Sequence, residues 1–277
     1  MQPLEIGVCS WSIDRRDPLG SIRSCAGDLG VFVCHLGFFD EPTLASASAV
    51  SIAQTCQQTG VQISATFAAF EGEEYDSIAT VAATGGYMPD ELFEARLDFT
   101  RRVADLTVEL GVTMLAIHVG SIPQDDTTEP YARLLQRAGM AADLLADRNL
   151  TLLLETGREP ARGLLQFIDR MHRDNVAINY DPGNMILYGT GDPIAAAKDL
   201  RSEIAHVHLK DAVASNQPGQ TFGTEASLGN GDANIPRVVS KLRAGGYRGP
   251  LIVERTSGRG DAGTLQDSVD YLRTLLE

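Results

Sequence analysis

The sequence predicts an α/β protein, a single-domain (β/α)8 TIM barrel spanning residues 1–277. Eight short apolar runs alternate with longer amphipathic stretches, and no linker or change of composition divides them. The length of 277 residues matches the roughly 250 typical of such barrels. Several runs, such as 150–155, are almost wholly aliphatic, as strands buried on both faces must be.

Residues 6–10 form the first predicted strand, with a helix over 19–29. Strands at 31–37 and 61–67 flank a helix over 42–59. A long helix over 90–110 follows, with Phe99, Val103, Leu106 and Leu110 on one stripe. The strand 113–118 leads to a helix over 131–148, whose stripe is Leu134, Ala138, Ala141 and Leu145. The remaining pairs are 150–155 with 160–173, 176–180 with 193–202, 204–210 with 235–245, and 251–254 with 264–275. Two connections, 68–89 and 211–234, exceed ordinary loop length. Both follow strands, so both belong to the face where barrels place their active sites, as candidate lids. Gly229-Asn230-Gly231-Asp232 reads as a turn, because no strand immediately precedes it.

With 23 Lys and Arg against 37 Asp and Glu, the formal charge is −14. That balance argues against sequence-independent binding to nucleic acid and against docking to anionic membranes. No run approaches the roughly 20 apolar residues of a membrane span, and residues 1–12 lack the pattern of a signal peptide. Cys9, Cys25, Cys34 and Cys56 contain no CxxC pair and read as reduced packing residues of a cytoplasmic protein.

The last four strands end on Glu155, Asp181, His208 and Glu254. Any one of them alone reads as a helix cap, an ion-pair partner or a core histidine. Barrel strand ends converge, however, and three converging carboxylates repel unless a cation neutralises them. Three carboxylates and one imidazole suit one divalent ion, Mn2+ or Mg2+ first, with Zn2+ or Co2+ tolerated. Alternation along 204–210 turns His206, His208 and Lys210 inward, His208 as the better ligand and His206 one layer deeper. Lys210 and Asp211 come next at the rim. His118 ends the fourth strand as a substrate-facing candidate, His35 reads as core or support, and His172 as solvated. Trp11, Phe38 and Phe67 lie near the first three strand ends, where they can pack at the barrel rim or against a substrate. Arg255 and Arg259 are the cations nearest the site.

These residues resemble the xylose isomerase-like barrel superfamily, in its sugar phosphate isomerase/epimerase branch. The likeness rests on Glu155, Asp181-Pro182-Gly183-Asn184, His206-Val207-His208-Leu209-Lys210-Asp211, Leu228-Gly229-Asn230-Gly231 and residues 246–254. It implies one divalent metal held by Glu155, Asp181, His208 and Glu254, with the two glutamates also serving as acid and base. The implied reaction is isomerisation or epimerisation of a sugar, sugar phosphate or polyol. It proceeds by proton abstraction beside a carbonyl, through a metal-stabilised enediolate. His118, Asn184, Lys210, Trp11 and Phe67 are the expected substrate contacts. Relatives commonly associate through barrel helices, which makes a homo-oligomer compatible with the sequence. One departure stands out: ketose epimerases carry a histidine where this chain has Asn184, which argues against epimerisation of free ketohexoses at C3.

Three alternatives share the scaffold. An inosose-type dehydratase begins with the same proton abstraction. An endonuclease IV-like phosphodiesterase needs three zinc ions, but 211–234 contains no histidine and Asn184 replaces another ligand. A sugar-binding barrel without turnover would not need both glutamates.

Overall fold

The computed structural model describes residues 4–256 and 262–277. Chain order gives β1 (Ile6–Cys9), α1 (Ser10–Ile13), α2 (Pro18–Gly27), β2 (Val33–Phe38), α3 (Glu41–Ala45), α4 (Ala49–Thr59), β3 (Gln62–Ala68), α5 (Ile78–Thr84), α6 (Phe93–Glu109) and β4 (Met114–Ile117). The second half continues with α7 (Glu129–Ala146), β5 (Thr151–Glu155), α8 (Ala161–Met171), β6 (Val176–Tyr180), α9 (Pro182–Tyr188), α10 (Pro193–Asp199), β7 (Ile204–Leu209), β8 (Asp211–Val213), β9 (Thr224–Ala226), α11 (Ile235–Ala244), β10 (Leu251–Val253) and α12 (Ala262–Leu276). Strands β1 to β7 and β10 pair in parallel and close into a barrel, ordered β1-β10-β7-β6-β5-β4-β3-β2. The protein is a single-domain (β/α)8 TIM barrel.

Alternation along each strand divides the apolar residues into two cores. Leu152, Leu154, Val207, Leu209 and Val253 face outward and pack under the helices. Leu153, Ala116, Ala65 and Ile252 face the axis. Space on the axis is tight. A Cβ on Gly7 would lie 2.6 Å from Ile252 Cδ1 and 2.7 Å from the Val33 carbonyl oxygen, so only glycine fits there. The expected helical stripes hold but for one residue: Phe99, Val103 and Leu106 are buried on α6, Leu110 is its half-buried C-cap, and Leu134, Ala138, Ala141 and Leu145 are buried on α7.

Several local expectations change. The stretch 42–59 is two helices, because Ser48 caps α4 by accepting from Ser51 N and so starts a new helix there. The 68–89 connection carries α5, and 211–234 folds back as the antiparallel pair β8–β9. Two short helices, α1 and α9, were not expected; each begins within a residue or two of its strand's end. Phe38 faces the outer core at 0% exposure, and its neighbour Phe39 takes the pocket-side position. The four cysteines are free thiols. Among the described residues no helix is long and apolar enough to cross a membrane.

Two register shifts interrupt the ladders, at Cys34/His35 against β3 and at Ile178/Asn179 against β7. Such irregularities re-aim side chains. Here each adjoins a fully buried polar residue, His35 or Asn179.

Candidate active site

Glu155 is the last residue of β5, and Glu254 follows the last residue of β10. His208 is the penultimate residue of β7. Asp181 follows β6 and is the N-cap of α9, where its Oδ1 accepts from Gly183 N at 2.8 Å and Asn184 N at 3.1 Å. Capping therefore engages one oxygen of Asp181 and leaves the other facing the centre. Across the four side chains, one donor atom from each lies within 4.8 Å of all the others.

The remaining contacts aim these groups. His208 Nδ1 lies 2.5 Å from Glu155 Oε1 and 3.4 Å from Glu254 Oε2. Asn179 Nδ2 donates to Glu155 Oε1 at 3.1 Å, and His118 Nε2 hydrogen-bonds Glu155 Oε2. Trp11 Nε1 donates to Glu254 Oε1 at 2.8 Å. Lys210 Nζ lies 2.7 Å from Glu254 Oε2 and 3.2 Å from Asp181 Oδ2, and donates to Asn184 Oδ1 at 2.9 Å. Deeper in the barrel, Ser64 Oγ meets His206 Nε2 at 3.0 Å, and His206 Nδ1 meets Asn179 Oδ1 at 2.9 Å.

The electrostatics show an unbalanced site. Burial raises Asp181 to about 7; Lys210 offsets part of that, and the charges of Glu254 and Glu155 add to it. Burial would also raise Glu155 and Glu254. For Glu155 it is outweighed by the His208 charge and the His118 hydrogen bond, and for Glu254 by Lys210 and His208, so both sit below the usual carboxylate range. Burial and the neighbouring His208 charge push His35 down to about 3, leaving it neutral. Three carboxylates thus face two cations, and Asp181 is the carboxylate that burial moves towards neutrality.

A divalent cation fits this donor set. Asp181 Oδ2 and Glu254 Oε2 are both buried, and the nearest cation to each is the one Lys210 ammonium. A single ammonium shared between two buried carboxylates, with Glu155 beside them, leaves negative charge that a divalent ion would neutralise. With Glu155 and His208 Nδ1 they form an oxygen-rich, one-imidazole set of the kind Mg2+, Mn2+ or Zn2+ accepts.

A cavity of about 430 Å³ opens over this cluster. Trp11, Phe39 and Phe67 make one apolar wall, with Trp11 and Phe67 ring centroids 5.0 Å apart. His118, Asn184 and Lys210 line it too. Of the four clustered groups, Glu155 and Glu254 line the cavity, whereas Asp181 and His208 do not. Lys210 and Asp211 are buried at 4% and 1% exposure, not at an open rim. Arg255 is ion-paired to Glu225 at 3.4 Å, and Arg259 lies outside the described residues. His172 caps α8 and is exposed.

The sequence reading missed Arg158, Glu159 and Tyr75. Arg158 lines the cavity between the rings of Tyr75 and Tyr188, 5.7 and 5.9 Å from their centroids. Tyr75 brings the 68–89 connection over the site, its hydroxyl 3.3 Å from His118 Nδ1. Burial raises Glu159 to about 8, and its Oε1 has no hydrogen-bond partner among the described residues. The signal for Arg158 and Glu159 was their place in the β5 loop, a few residues past Glu155.

Comparison with solved structures finds the same fold. A xylose isomerase domain protein from Planctomyces limnophilus is 30% identical, with a TM-score of 0.86, over 99% of this chain and 96% of that one. A xylose isomerase-like TIM barrel protein from Mycobacterium smegmatis, in complex with magnesium, is 17% identical with a TM-score of 0.72, covering 100% and 98%. D-Allulose 3-epimerase from Methylomonas sp., in complex with D-allulose, is 14% identical with a TM-score of 0.74, covering 100% and 98%. Comparison with curated proteins gives no significant match. The family model for the xylose isomerase-like TIM barrel matches residues 28–275, and the chain belongs to that family.

Proposed function

We propose that this protein is a divalent-metal-dependent isomerase or epimerase of a sugar, sugar phosphate or polyol. The observation that carries the reading is the division within the cluster: Glu155 and Glu254 reach the cavity, and Asp181 and His208 lie behind them. Glu155, Asp181, His208 and Glu254 would hold the cation, and Glu155 and Glu254 would also exchange protons with substrate. When bound, a divalent ion supplies Lewis-acid polarisation of a carbonyl and its neighbouring hydroxyl, acidifying the C–H between them.

The chain's own groups account for the rest. One glutamate takes the carbon-bound proton to give an enediolate, and the other returns a proton from its side of the sugar. Trp11 fixes Glu254 through Oε1, and His118 fixes Glu155 through Oε2, so each carboxylate meets substrate in one orientation. Lys210 and Asn184, joined at 2.9 Å, present an ammonium and an amide to substrate oxygens. The Trp11–Phe39–Phe67 wall covers the apolar face of a sugar ring and keeps water from the reacting carbon. Asn184 carries no exchangeable charge, which favours substrates other than free ketohexoses epimerised at C3.

The test is a panel of ketoses, ketose phosphates and ketopolyols incubated with the Mn2+-loaded protein in D2O. Deuterium should enter next to the carbonyl of at least one, and Glu155→Gln should slow that exchange by about 100-fold or more. Exchange accompanied by loss of water would assign dehydration instead. No exchange with any compound, or an unchanged rate in the variant, would contradict the proposal.

A further inference from the structure

A fully buried histidine that plays no part in the chemistry above lies directly behind His208. His35 Nδ1 is 2.7 Å from His208 Nε2, and His35 Nε2 is 3.1 Å from the Thr66 carbonyl oxygen. Both imidazoles are fully buried, with 0% exposure.

The proton positions follow from the partners. A carbonyl oxygen only accepts, so His35 Nε2 carries hydrogen. In the neutral ring Nδ1 is then a bare acceptor, and a contact of 2.7 Å with His208 requires the hydrogen on His208 Nε2. The reverse direction would put an imidazolium on His35, which hydrogen-bonds no carboxylate among the described residues, while Glu155 lies 2.5 Å from His208. The other neighbours of His208 Nε2 do not compete: Asn179 Nδ2, at 3.3 Å, is itself a donor, and Cys9 Sγ, at 3.5 Å, is a weak acceptor.

We infer that His35 is a positioning residue: with the Thr66 carbonyl it holds a proton on His208 Nε2 and so presents His208 Nδ1 to a divalent cation. The inference rests on the proposed metal site for its purpose, but the hydrogen-bond chain stands on its own contacts. A ligating histidine commonly donates its second nitrogen to a carboxylate, carbonyl or water, which sets its tautomer and basicity. Here a second histidine takes that place and relays the choice from a backbone carbonyl of β3, across β2, to β7. Alternation along β2 turns His35 inward between the outward-facing Cys34 and Leu36, and the register shift beside it leaves Ser64 of β3 as the extra residue.

Nitrogen-15 NMR of the histidine rings in the metal-free protein tests the chain, with Mn2+ calorimetry on wild type, His35→Phe and His35→Asn. The expected spectrum has hydrogen on Nε2 of both His35 and His208, with scalar coupling between His208 Nε2 and His35 Nδ1. His35→Phe should weaken Mn2+ binding by about 10–100-fold. His35→Asn, which keeps an acceptor near the Nδ1 position, should recover most of that loss. A proton on His35 Nδ1, or equal affinity in all three chains, would overturn the inference. Wild-type protein that binds no Mn2+ yet shows the expected protons would overturn the metal reading and uphold the hydrogen-bond chain.

Discussion

Lys210 holds its ammonium 2.7 Å from Glu254 Oε2, so the metal-free chain carries its own cation among the carboxylates of the candidate site. The same nitrogen is 3.2 Å from Asp181 Oδ2, and Lys210 is buried at 4% exposure. Burial alone would lower an ammonium, but Asp181 and Glu254 keep this one well above the ordinary lysine value. Lys210 therefore tempers the repulsion that a divalent ion would remove.

Replacing that cation with an isosteric apolar side chain leaves buried carboxylates unpaired. Lys210→Met should destabilise the chelator-treated protein by about 3–5 kcal/mol. Saturating Mn2+ should recover much of the loss, because the cation binds the folded state alone. Urea unfolding with and without Mn2+ measures both. Equal stability of wild type and variant in chelator would contradict the role given to Lys210.

Glu159 provides a pH signature. Burial raises its folded value to about 8, whereas an unfolded glutamate titrates near the ordinary 4.5. Between those values the folded chain keeps the proton that the unfolded chain releases. Wild-type stability therefore falls as pH rises through that window. Glu159→Gln removes this effect, so its stability relative to wild type should increase by about 2 kcal/mol from pH 5 to pH 7. Parallel stability curves across that range would show that Glu159 ionises normally.

Asp211 organises the 211–234 excursion. Its Oδ1 accepts from Ala212 N and Ala233 N, and its Oδ2 from Gly229 N and Gly231 N, at 2.9 to 3.0 Å. A Cβ on Gly231 would lie 2.2 Å from Oδ1, so the carboxylate and the glycine turn require each other. Asp211→Asn replaces one acceptor oxygen with a donor that opposes two backbone N–H groups. Limited proteolysis should then cut within 214–223 at least tenfold faster than in wild type, by loss of about 1.4 kcal/mol or more of local stability. An unchanged digestion rate would show that β8–β9 pairing alone holds this segment.

The barrel was legible because strand burial leaves an aliphatic signature. Leu150 to Leu154 reads as a doubly covered strand, and the polar residue that ends it is conspicuous for that reason. The same contrast exposed Asp181, His208 and Glu254, and the structure brings the four together. What stayed hidden depends on distance across the barrel, which no local pattern encodes. His35 and Asn179 look like isolated polar residues within apolar runs; closure of the barrel sets His35 against His208, and the pairing of β6 with β7 sets Asn179 there. Arg158 and Glu159 sit in a short loop whose sequence carries no periodicity, so their orientation came from the structure alone. Phe38 and Phe39 differ by one residue, and a one-residue shift reverses which of them meets the cavity.

Counting divalent ions per chain tests the central claim most directly. Protein purified without chelator, loaded with Mn2+ and dialysed, should retain one ion per chain by elemental analysis. Glu254→Ala, which removes one of the four clustered donors, should retain none after the same dialysis. Zero, two or three ions on the wild-type chain, or an undiminished ion on the variant, would contradict a single cation held by Glu155, Asp181, His208 and Glu254.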